Sequence, residues 1–316
     1  MCCRDSHGYV LPMADVPEFA RLLTTLEQSR PLVAEALRLA ERRRSERLAS
    51  LLDGMRLRGL EQLIAYLDAA AEAYGDLPAI AGVAFLVKRV RADYQTALEA
   101  TLSGYQGVAA DAMRDVMEIE CLLLDFALNE SHAQEWLACD DSVRRRKYMP
   151  VRVRERLQAQ GVEPFANDDF EPIDYKAHSD SLHVNPTRAM ETGTRGPDPE
   201  DDPVPFYGDF GFIEMFEHGY RVLMAIELLR VVASGLPDQS GPLGPLDDFY
   251  DAHARTHQMQ VMMVGFVLGP PVLRERLGRD PTAVELLGYV KDEVTAKSRP
   301  FGPRDEGRPD EPSSGL

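Results

Sequence analysis

Apolar residues along this chain recur at spacings of three and four, and the pattern breaks at Pro, Gly and acidic clusters. "DVPEFARLLTTLEQ" opens the first such stretch, with Asp15 placed as N-cap and Pro17 in the first turn. A long amphipathic segment follows from Arg30, with a break expected near Asp53-Gly54, and another helix begins just after Leu77-Pro78. The most apolar segment, 106–129, reads as a central helix. Ser131 and Gln134 stand at capping-box spacing before "EWLA". Further helices are predicted near 150–160, 173–184, 209–234, 246–268 and 281–296. No segment alternates with period two, so no sheet is expected. The pattern predicts an all-α fold, a bundle of eight to ten helices.

Two stretches carry few core residues. The Pro-, Gly- and acid-rich segment 185–208 predicts a mobile acidic loop, and 298–316 a disordered tail. With residues 1–14 read as a flexible N-terminus, one helical domain over 15–297 remains. An apolar content of 44% suffices for a real core, and the formal charge of −17 disfavours nucleic-acid binding by the surface as a whole. Cysteines 2, 3, 121 and 139 lack CxxC spacing, which suits a reducing cytoplasm. No apolar run reaches the length of a membrane span, and an excess of Arg over Lys points to a bacterial, GC-rich genome.

The chemistry-bearing residues fall into four groups. On the 106–129 helix, Met113, Val116, Met117, Leu124 and Ala127 share one stripe, and Glu120 falls in its middle. A carboxylate there needs a partner or a proton, because burying it unpaired costs several kcal/mol, roughly. Arg114 and Glu118, at i and i+4, make a helix pair on another face. In "YKAHSDSLHVNP", Tyr175, Ser179 and His183 line one helical face and Asp180 lies within reach of His183. That face serves either as a polar tie between helices or as a site with His183 as general acid/base. No nucleophile elbow accompanies Ser179, which argues against a serine hydrolase.

The third group is the basic run "RRRKYMPVRVRER". Arg144, Arg145, Arg146, Lys147 and Arg152 are its candidate phosphate contacts, with a solvated helix face as the plainer alternative. The fourth is "DAHARTHQ", where His253 and His257 stand at the i, i+4 spacing that lets two imidazoles share one cation. Asp180, three residues before His183, is a further candidate ligand, and bundle metalloproteins draw carboxylates such as Glu118 or Glu120 from neighbouring helices. No complete metal motif is present in the sequence. No cofactor is predicted, though the spacing leaves room for a divalent metal.

Arg114-x-x-x-Glu118, then Trp136, "RRRKY" and Tyr175-x-x-x-Ser179-x-x-x-His183 together resemble the bacterial helical family catalogued as domain of unknown function 5677, over roughly residues 80–190. The resemblance implies a helical fold and marks Arg114, Glu118, Ser179 and His183; it implies no activity. A wider similarity is to HEPN domains, helical bundles that often act as metal-independent RNases in toxin and defence systems. Their motif sets an arginine four to six residues before a histidine; here His178 occupies the arginine's place before His183. Three functions are therefore expected in turn. The first is a noncatalytic interaction module in a defence or stress system, with another protein or a second copy of itself as partner. The second is a HEPN-like protein acting on RNA through His183. The third is a metal-dependent bundle enzyme centred on His253 and His257.

Overall fold

The computed structural model describes residues 16–52, 54–129, 131–162, 165, 207–235, 243–282, 284–286 and 288–289. Among them there are ten α-helices, a single 3-10 turn and no strand, so the all-α expectation holds. The expected N-terminus, the 185–208 loop, the 298–316 tail and the predicted 173–184 helix lie wholly or almost wholly outside the described residues.

The helices are α1 (Val16–Ser29), α2 (Pro31–Leu51), α3 (Met55–Gly75), α4 (Ala84–Ser103) and α5 (Gln106–Leu128), followed by α6 (His132–Ala138), α7 (Asp141–Tyr148) and α8 (Pro150–Ala159). The last two are α9 (Tyr207–Ser234) and α10 (Asp247–Leu277). The break expected near Gly54 separates α2 from α3, and Pro31 and Pro150 each open a helix where their missing N–H costs nothing. Gly104 ends α4 with φ of 87°, a left-handed conformation that favours glycine, and its N–H returns to Thr101 O.

The expected capping box does not form. Ser131 itself takes helical dihedrals, so its hydroxyl is not presented to the free N–H groups, and Gln134 donates instead to Ala79 O at 3.1 Å. This bond ties α6 to the turn preceding α4.

Helix α9 is the hub, packed against α3, α4, α5 and α10. Being surrounded, it is apolar over most of its circumference. Phe212, Met215, Phe216, Val222, Ala225 and Ile226 are all buried. A fully buried side chain such as Phe216 contributes about 1.5–3 kcal/mol. Close approach to α4 requires Gly211, because a Cβ there would sit 2.2 Å from Thr101 Oγ1. Two phenols fasten the same core: Tyr74 donates to Ile226 O at 2.9 Å and Tyr94 to Met215 O at 3.1 Å. Burial raises the pKa of both, so they remain donors. At the periphery, α1 packs chiefly on α2, and α8 on α5. No helix among the described residues is long and apolar enough to cross a membrane.

Candidate functional site

Helix α5 carries three of the residues singled out in the sequence. Met113, Val116, Met117, Leu124 and Ala127 are buried as the stripe predicts, and Glu120 is buried among them at 1% exposure. Its partner is on α9: Arg221 Nε donates to Glu120 Oε1 at 3.1 Å. Arg221 also lies over the Phe165 ring, 5.8 Å from its centroid. The other carboxylate oxygen, Oε2, has no hydrogen-bond partner among the described residues. Arg114 and Glu118 pair at 2.8 Å on a half-buried face of α5. Tyr175, Ser179, Asp180 and His183 lie outside the described residues.

The basic run divides at Met149-Pro150 into α7 and α8, and its charges are largely paired within the fold. Arg144 donates to Asp141 at 2.6 Å and to Cys139 O at 2.9 Å, and covers Trp136. Lys147 bonds Glu135, and Arg152 bonds Glu155 at 2.7 Å. Arg145 and Arg146 are exposed. Arg146, Lys147, Arg152 and Arg156 line an open cleft of about 470 Å³ together with Glu135 and Glu155. Two of its four cations therefore face a carboxylate already within the cleft.

Sequence reasoning passed over a buried carboxylate that joins three helices. Asp125 is fully buried and accepts from Arg156 through both oxygens, at 3.0 and 2.9 Å. His132 Nδ1 meets its Oδ2 at 2.9 Å, and Asn129 Nδ2 its Oδ1 at 3.2 Å. Tyr148 packs edge-on against the His132 ring. One aspartate thus joins α5, α6 and α8. The signal was present in "CLLLDFAL", where a single acid interrupts an apolar run.

His253 and His257 do come together, one turn apart on α10, and the carboxylate between them is neither Glu118 nor Glu120 but Glu217 of α9. His257 Nδ1 lies 2.8 Å from Glu217 Oε1 and His253 Nε2 lies 3.5 Å from Oε2. Burial pushes the Glu217 carboxyl up, but the two imidazoles it faces outweigh this and lower its pKa to about 2. It is therefore ionised at neutral pH, and a carboxylate can only accept, so His257 presents an N–H at Nδ1. The His253 ring stacks on Tyr220 at 4.7 Å with planes 4° apart, and lies within 12° of parallel to Phe249. A second acid–imidazole pair, Glu214 with His218 at 3.1 Å, is buried on α9 itself. Glu217 could not be singled out from spacing, because it is 36 and 40 residues away from its partners in sequence.

In comparisons with known proteins, no family model, no curated protein and no solved structure matches this chain.

Proposed function

We propose that this chain is an interaction module of the bacterial cytoplasm whose docking face is the outer ridge of α9, and that the face receives the same ridge of a second copy. The observation that carries this reading is a row of four large apolar side chains on the helix that is otherwise the most enclosed. Tyr220, Met224, Leu228 and Val232 succeed one another at intervals of four residues and are 38–52% exposed. Such an i±4n row is the ridge by which one helix seats in the grooves of another. Tyr250 of α10, also exposed, stands edge-on to Tyr220 and widens its upper end. An apolar surface of this kind on a soluble bundle marks an association site. Two copies crossing on it form an isologous contact, in which each ridge fills the groove beside the other.

The polar clusters support the same reading by their construction. Glu120 with Arg221, Asp125 with Arg156 and Arg114 with Glu118 are ion pairs, and the first two bind one helix to another. A second apolar surface, at Phe19, Leu22, Leu32 and Val33 of the α1–α2 hairpin, is also exposed and adds to the area available for association.

The test is the mass of the purified chain in solution by light scattering, for wild type and for Met224→Glu combined with Leu228→Glu. A wild-type dimer that becomes a folded monomer in the variant supports the reading. A wild type that stays monomeric well above micromolar concentration overturns it. Dimers that persist in the variant would move the contact away from α9.

A further inference from the structure

We propose that Glu217, His253 and His257 form a binding site for one divalent first-row transition cation of zinc type, bridging α9 and α10. The site uses residues other than the docking ridge and stands whether or not that ridge associates. Its donors are two imidazole nitrogens and one carboxylate oxygen, and all three ligand atoms lie within 4.8 Å of one another. A tetrahedral ion with bonds of about 2.0–2.2 Å sets its donors roughly 3.3 Å apart. The two nitrogen–oxygen separations, 2.8 and 3.5 Å, already bracket that spacing. The third separation, between the two imidazole nitrogens, is no more than 4.8 Å.

Three features beyond proximity suit a metal. His253 Nε2 is buried, faces Glu217 Oε2 from 3.5 Å and completes no hydrogen bond among the described residues, so it is open to a stronger partner. Its ring stacks on Tyr220 and lies nearly parallel to Phe249, contacts that fix the direction of Nε2 before any ion arrives. Glu217 reaches in from the neighbouring helix and turns one carboxylate oxygen toward each imidazole. A neutral imidazole takes an ion without net loss of a proton, because its one N–H can sit on either ring nitrogen. As the ion takes His257 Nδ1 and His253 Nε2, any proton on those atoms moves through solvent to the other nitrogen of the same ring.

The donor set chooses among ions. Two imidazoles with one carboxylate suit zinc, cobalt or iron(II), whereas magnesium and calcium take oxygen ligands. Three protein ligands leave a coordination position open on a side where His257 is 37% exposed, so a water molecule or an incoming ligand completes the shell. The metal would then fasten α10 to α9 directly beneath Tyr220.

The experiment uses the full-length chain. Zn²⁺ is titrated calorimetrically and Co²⁺ spectroscopically at slightly alkaline pH, with Mg²⁺ as the control ion. The expected result is one equivalent of Zn²⁺ or Co²⁺ bound, no response to Mg²⁺, and a Co²⁺ spectrum without the intense thiolate charge-transfer band. That band matters because Cys2, Cys3 and His7 offer a competing set in the sequence. Glu217→Gln, with helicity checked by circular dichroism, should weaken Zn²⁺ by at least about 100-fold, the upper end of what losing a mere supporting residue costs. If histidine variants fold poorly, the wild-type Co²⁺ protein alone suffices: two paramagnetically shifted, exchangeable imidazole N–H signals are expected. No stoichiometric binding by wild type, a thiolate spectrum, or unchanged affinity in Glu217→Gln would each overturn the proposal.

Discussion

Helices α5 and α9 both carry buried or half-buried carboxylates, but the partners differ in kind. On α5, Glu120 and Asp125 are sealed at 1% and 0% exposure and each faces an arginine. On α9, Glu217 faces two histidines and retains contact with solvent. A guanidinium is charged at every accessible pH, so its pair with a buried carboxylate is permanent. An imidazole is neutral over part of the physiological range and then offers a lone pair as readily as a proton. The first arrangement can only hold helices together. The second can exchange what it holds, and so the metal proposal rests on α9 while the structural role rests on α5.

The sharpest test of the contrast is Asp125→Ala. It leaves the guanidinium of Arg156 partly buried without its partner and also frees His132 and Asn129. A loss of about 3–5 kcal/mol is expected, measured by urea unfolding, because one member of a buried pair remains uncompensated. Next comes Arg221→Met, which strands Glu120 in the apolar stripe and should cost about 3 kcal/mol. Adding Glu120→Gln to it should restore most of that loss, since both charges are then gone and only a neutral amide stays buried. A double variant no more stable than the single would show that Arg221 acts through packing on Phe165 instead. Glu217→Gln should cost less than either Asp125→Ala or Arg221→Met in metal-free protein, because its site keeps contact with solvent and water can replace the lost interactions. Its pH signature is separate. With a folded pKa near 2 against an ordinary value of 4.5, Glu217 contributes stability that is present above pH 4.5 and lost as pH falls toward 2. The variant should lack that portion of acid sensitivity. Should Glu217→Gln destabilise the fold as severely as Asp125→Ala, the division between permanent and exchangeable pairs fails.

How much of this was legible in the sequence follows from the range of the interactions. The helices could be read because a period of three to four is a local property, and the burial of Glu120 could be read because its neighbours at i−4, i−3 and i+4 are apolar. Its partner could not, since Arg221 is 101 residues away. The same holds at the metal candidate. His253 and His257 announce themselves by spacing within one helix, whereas Glu217 is set beside them only by the packing of α9 on α10. The capping box failed for a local reason of another sort: a serine at the right spacing caps only if its own backbone leaves the helical region, and Ser131 stays within it. Asp125 was legible in principle, because a lone acid in an apolar run must be satisfied by something.

Asp93 provides a third kind of partner, another carboxyl, and the smallest expected effect. It lies on α4 opposite Asp115 of α5. Burial first, and then the charge of Asp115 and a hydrogen bond with it, push the Asp93 carboxyl up to about 7, against the opposing pull of Arg89. Arg89 itself bonds Asp115 and also senses Glu118. Since the folded protein holds a proton on Asp93 that the unfolded chain has released above an ordinary pKa of 3.8, the sign is opposite to that of Glu217. The contribution of Asp93 is fully present below pH 3.8 and is lost as pH rises through 7. Asp93→Asn keeps the protonated form's shape and hydrogen bond without the ionisable group. Its urea midpoint should therefore match wild type near pH 4 and exceed it modestly at pH 8, with the gap opening between those values. Because the half-buried site is open to solvent screening, the gap should be smaller than any of the losses above. A gap that is constant with pH would mean that Asp93 is ionised throughout and that Arg89 dominates. The carboxyl pair would then belong with the arginine-sealed carboxylates of α5.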